Sequence, residues 1–204
     1  MRPNARVLAL VSVLALGLLY VLPLWRITLK APQYPEGVVM YIWLHKLSGQ
    51  VDLINGLNHY IGMRPIRQED FPEFLIMPWL IAGLMVAGLA AVALNKRWAL
   101  GLWVVLFALV TAIGLADFYR WGYEYGHNLD PQAPIKVPGM SYQPPLIGHK
   151  QLLNFTAYSY PDAGGLVAFA AFLLGATVFG TECVRARRER LPCIERRPQF
   201  PTVA

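Results

Sequence analysis

Asn55, His59 and Met63 recur every four residues in the stretch INGLNHYIGM. On a helix they would share one face, with an imidazole and a thioether within reach of one object. Imidazole and thioether donors without thiolate favour copper, since Cu(I) takes His and Met while Cu(II) takes nitrogen and oxygen. A second group lies in DFYRWGYEYGHNLDP, where His127 follows Glu124 by three residues and Asp117 stands further back on the same element. A carboxylate so placed can orient an imidazole or share its metal. Met140 and His149 follow in KVPGMSYQPPLIGHK. The expected ligands are therefore His59, Met63, His127, Met140 and His149, with Asn55, Asp117 and Glu124 orienting them. The competing reading is that Asn55, Asn58 and His59 tie surface helices to the later loop by hydrogen bonds, with Met63 packed among apolar neighbours. His45 and His149 each stand beside a lysine, and His45 is expected to be solvated.

These residues must be positioned by a membrane protein. A mean hydropathy of +0.41 with 15% charged residues excludes an ordinary soluble domain. Four uncharged runs, Val7–Trp25, Phe74–Leu94, Trp98–Ala116 and Gly164–Thr181, are each close to the ~20 residues that cross a bilayer core. Backbone in lipid must satisfy itself, so such runs read as helices. The expected fold is all-α: one membrane domain over residues 1–204 with four transmembrane helices. The segments before the first run, between the second and third, and in the tail 182–204 carry 10 basic against 3 acidic residues. By the positive-inside rule they face the cytoplasm. That puts the loops 26–73 and 117–163 outside, with 8 basic against 9 acidic residues. The expected location is a bacterial inner membrane, with these two loops packed together on the periplasmic side.

Within the first loop, apolar gaps of three and four between Val39 and Asn58 suggest one or two amphipathic surface helices, broken near Gly49. The second loop should continue the third span as a helix until Asp130-Pro131 stops it. Residues 136–150, rich in proline and glycine, read as coil. Trp25, Trp79, Trp98 and Trp121 read as interfacial anchors.

All four histidines and nine of the twelve carboxylates fall in the two outer loops, so that face is where function is expected. Cys183 and Cys193 lie on the inner side without Cys-x-x-Cys spacing, which excludes c-type haem and thiolate-bound clusters. The short basic flanks do not make a nucleic-acid surface. Haem or quinol subunits usually carry histidines within facing helices, and no run holds one. Haem at the outer edge on His59 and His127 stays open, ranked below copper. Hydrolase and transferase motifs are missing, so catalysis is not expected. A non-catalytic scaffold or a subunit of a respiratory complex is the remaining alternative.

The runs APQYPEG, INGLNHYIGM, DFYRWGYEYGHNLDP and KVPGMSYQPPLIGHKQLLNF resemble, over nearly the whole chain, those of small membrane proteins encoded among nitrous oxide reductase accessory genes. Such genes lie beside those for a copper-carrying lipoprotein and an ABC-type maturation system. The resemblance implies a setting in which copper must reach an external cuproenzyme, with that enzyme or the lipoprotein as partner. It assigns no ligands. The resulting expectation is an accessory membrane protein that handles copper during assembly of nitrous oxide reductase or a similar enzyme.

Overall fold

The computed structural model describes residues 1–135, 139 and 141–190. In chain order the elements are helix α1 (Pro3–Ala15), a 3-10 extension (Leu16–Tyr20), strands β1 (Trp25–Ala31), β2 (Tyr34–Ile42) and β3 (Leu47–Gly49), and helix α2 (Val51–Tyr60). Helices α3 (Glu73–Leu94) and α4 (Arg97–His127), strands β4 (Gly148–Leu152) and β5 (Phe155–Pro161), and helix α5 (Ala163–Arg190) complete it. Four helical stretches, Pro3–Tyr20, α3, α4 and α5, are long and apolar enough to cross a membrane.

The all-α expectation is wrong. The two long loops form one five-stranded antiparallel sheet, in the order β3-β2-β1-β5-β4, and the fold is mixed α and β. The reason is visible in β1, where Ile27, Leu29 and Ala31 are buried and alternate with Arg26, Thr28 and Lys30. That is the period of a half-buried strand, with one face on the core. β1 pairs on one side with β2, Ile27 opposite Met40, and on the other with β5, Ile27 opposite Ser159. The amphipathic helices expected between Val39 and Asn58 are correspondingly reduced to α2; Val39–Ile42 lies in β2 and His45 in the turn that joins β2 to β3. The stretch read as coil over 136–150 ends in β4, which pairs with β5 from Gly148 onward. Trp25, expected as an interfacial anchor, opens β1 and donates its indole N–H to Ser159 Oγ at 2.8 Å.

Two hydrophobic cores follow from this division. The bundle core gathers Val13 and Leu16 of the first helical stretch, Leu84 and Val92 of α3, Leu100, Trp103 and Phe107 of α4, and Ala171 and Val178 of α5. Trp103, 1% exposed, is its centre and donates its indole N–H to the Leu84 carbonyl at 2.9 Å. Gly88 and Gly175 make room for it: a Cβ at Gly88 would lie 2.7 Å from its Nε1, and one at Gly175 2.6 Å from its Cζ3. Close backbone approach at small residues is how helices associate where lipid offers no hydrophobic drive between them. The sheet core gathers Ile27, Leu29, Val38, Met40, Ile54, Ile61, Tyr142, Leu152 and Ala157.

The sheet lies at one end of the bundle, since the first helical stretch runs into β1, β5 runs into α5, and α4 ends beside the segment that precedes β4. The junction is fastened by backbone bonds: Leu24 N–H to Ile42 O at 2.8 Å, Asp162 N–H to Leu24 O at 3.0 Å, and Gly164 N–H to Pro23 O at 2.8 Å. The opposite end is fastened by Glu182, only 5% exposed on α5. Its carboxylate lies 3.8 Å from Arg97 Nε of α4 and 4.0 Å from the Met1 amine, and it accepts the Arg2 amide N–H at 3.5 Å.

Candidate functional site at the sheet end

α2 ends at Tyr60, and the chain then turns at Gly62, whose φ of +78° suits glycine. The turn is held against the segment after α4: Asp130 N–H donates to Gly62 O at 2.8 Å, and Ile135 N–H donates to Tyr60 O at 2.9 Å. A Cβ at Gly62 would lie 3.0 Å from the Asp130 backbone, so the contact itself needs glycine. The two loops therefore meet immediately beside His59, on the last turn of α2, and His127, the last residue of α4.

The shared helical face expected of Asn55, His59 and Met63 does not exist, because the helix stops before Met63. His59 is exposed, with its ring edge-on to Tyr60 at 6.2 Å. Met63 is half-buried and packs against the sheet core. Asn55 is occupied by backbone: its Nδ2 donates to Ile66 O at 3.0 Å, and its Oδ1 accepts Ile66 N–H at 2.7 Å. This amide clasps the 61–66 turn onto α2; the bond stays within the first loop and does not reach the later one.

His127 is exposed, and its ring stacks on Tyr123 with centroids 3.9 Å apart. Its Nδ1 lies 2.9 Å from Tyr123 O, one helical turn back. When Nδ1 carries the proton and donates to that carbonyl, Nε2 is the nitrogen left to accept a proton or a metal, the arrangement common to metal-binding histidines. Glu124 does not reach toward His127; it lies 4.0 Å from Arg64, whose guanidinium also sits 4.9 Å over the Tyr125 ring. Asp117 pairs with Arg120 at 2.8 Å. His149, exposed on the edge strand β4, stacks against Tyr158 of β5 at 5.8 Å. Met140 lies outside the described residues.

Among the described residues, no group of three or more His, Cys, Asp or Glu side chains is placed to hold a metal. Of the expected ligands among the described residues, His59 and His127 flank the seam between the loops, Met63 packs on the sheet core and His149 lies on the sheet edge. Glu73, which the sequence did not single out, proves more central than Glu124. At the start of α3, it accepts the Trp121 indole N–H at 3.2 Å and lies 3.7 Å from Arg120, so one guanidinium serves both Glu73 and Asp117. Phe71 packs above this cluster, 4.7 Å from Trp121 and stacked on Tyr125 at 6.0 Å. The sequence signal for this cluster is Asp117 and Arg120 flanking Phe118-Tyr119, with Trp121 next.

Neither protein-family models nor curated proteins gave a match to the chain.

Proposed function

We propose that this is an accessory protein of a bacterial inner membrane whose sheet end faces the periplasm and passes copper to or from an external cuproenzyme or copper lipoprotein. The observation that carries the reading is the seam between the loops, where the bonds Asp130–Gly62 and Ile135–Tyr60 bring the ends of α2 and α4 together and leave His59 and His127 exposed on either side. Copper here is cargo. Transfer between proteins proceeds by ligand exchange, which needs a donor set open enough for the partner to add its own ligands, and exposed imidazoles meet that need better than a closed cage. The carbonyl partner of His127 Nδ1 supports the same reading, because it presents Nε2 outward. Arginines concentrated at the Glu182 end support the orientation through the positive-inside rule.

The test is anaerobic Cu(I) titration of the detergent-purified protein with a competing chelator. The expected result is about one Cu(I) per chain, lost in the His59→Ala/His127→Ala double variant and retained in His45→Ala. Copper binding unchanged in the double variant would remove both residues from the site. No binding in the parent protein would favour the second reading, a membrane scaffold whose sheet docks a partner without metal; Met63 packed on the sheet core and His149 on the edge strand support it.

A further inference from the structure

At the end of the molecule away from the sheet, α1 and α5 line an open groove of about 1060 Å³. The helices run antiparallel in close register, fixed by Ser12 Oγ donating to Ala171 O at 2.6 Å and by the Arg2 amide on Glu182. Arg2 is thereby level with Glu182, and Arg185 and Arg188 lie about one and two turns further along α5. One wall is apolar, with Ala5, Leu8, Val178 and Val184, and the rim is basic, with Arg2, Arg185 and Arg188. Of the two carboxylates that also line it, Glu182 is occupied by Arg97 at 3.8 Å and Glu189 by Arg185 at 2.7 Å. Asn4 and Thr181 add hydrogen-bonding groups between rim and wall.

We propose that this groove binds an anionic phospholipid of the membrane that the helices cross, its phosphate between Arg2 and Arg188 and an acyl chain along Leu8 and Val178. The charge pattern selects the occupant. A guanidinium pair matches a phosphate, while the apolar wall continues from the groove along the surface of α1, where Leu8 and Val11 are exposed. A soluble anion would use the rim and leave the wall unfilled. Basic clusters between helix ends at a membrane surface hold anionic headgroups at about a fivefold gain per arginine.

Gly180 provides a test that leaves every charge in place: it lines the groove, and a Cβ there would meet nothing within 4 Å. Full-length protein in mild detergent is titrated with phosphatidylglycerol or phosphatidylcholine and retained lipid is counted by native mass spectrometry. The parent protein should prefer phosphatidylglycerol. Arg2→Ala/Arg188→Ala should bind it about 30-fold more weakly. Gly180→Phe should also lose it, with its arginines intact, whereas Arg6→Ala, outside the groove, should not. Equal affinity for the two lipids, retention by Gly180→Phe, or an equal loss in Arg6→Ala would overturn the proposal. So would inorganic phosphate competing as strongly as the lipid.

Discussion

The bundle core and the sheet core solve the same packing problem with different means. In the bundle, backbones approach at Gly88 and Gly175 around one large side chain, Trp103, and a single polar hydrogen bond fixes it. At the sheet end, strands supply their own backbone bonds, and side chains such as Asn55 and Trp25 tie loops to the framework one contact at a time. The difference teaches where damage should spread. A cavity at Trp103 reaches three helices at once, while a lost clasp in the sheet domain stays local.

The strongest way to break this contrast is Trp103→Ala. It should cost about 3–5 kcal/mol, read as a lowered unfolding midpoint in detergent, with hydrogen exchange of β1 and β5 unchanged below the transition. Strands losing protection together with the helices would show that the two cores form one cooperative unit. Next in size is Glu182→Gln, expected to cost about 1–3 kcal/mol, because the buried carboxylate is the shared partner of Arg97 and the Arg2 amide. Its effect should appear as faster exchange at the starts of α1 and α4 and not in the sheet. Asn55→Ala should cost about 1–2 kcal/mol and raise exchange only around residues 61–66. If copper binding at the seam is real, that variant should also weaken it, since the turn that carries the α2–α4 contact would loosen. Smallest is Arg120→Ala, under about 1 kcal/mol for a half-exposed guanidinium. It leaves Asp117 and Glu73 facing each other without their shared cation, so its cost should fall when pH is lowered enough to protonate Asp117. A pH-independent cost would mean that Arg120 acts through packing on Trp121 instead, over whose ring it sits at 5.5 Å.

The four long helices were legible because uninterrupted apolar runs have one structural meaning at that length, and the continuation of α4 to His127 was legible from its stop at Asp130-Pro131. The sheet was not, although RITLK alternates cleanly in β1. Apolar spacings of four from Trp43 to Leu47 and of three from Ile54 to Leu57 span a turn, a strand and a helix, and so imitate one helical period. Beyond that ambiguity, the partner that makes β1 a central strand is β5, more than a hundred residues away, and no local window contains both. The candidate site was partly legible for the same reason. Residue types put His59 and His127 in the two loops that meet, but the turn at Gly62 removes Met63 from their face, and Glu124 answers to Arg64. Glu182 looked like one charge in a basic tail; only the antiparallel register of α1 with α5 makes it a keystone.

The strand order has a consequence for the order of manufacture. β1 sits between a neighbour made just after it and one made only after α3 and α4. At ordinary rates of synthesis, roughly ten seconds separate the emergence of β1 from that of β5. For that interval the β1–β2 hairpin presents a bare edge, already across the membrane if the sheet faces outward, while the rest of the chain is still being inserted. An unpaired edge recruits whatever extended chain is nearest. Each molecule therefore passes through a newborn stage in which its own last loop competes with its siblings for the same seat, so crowding at the insertion site favours misassembly.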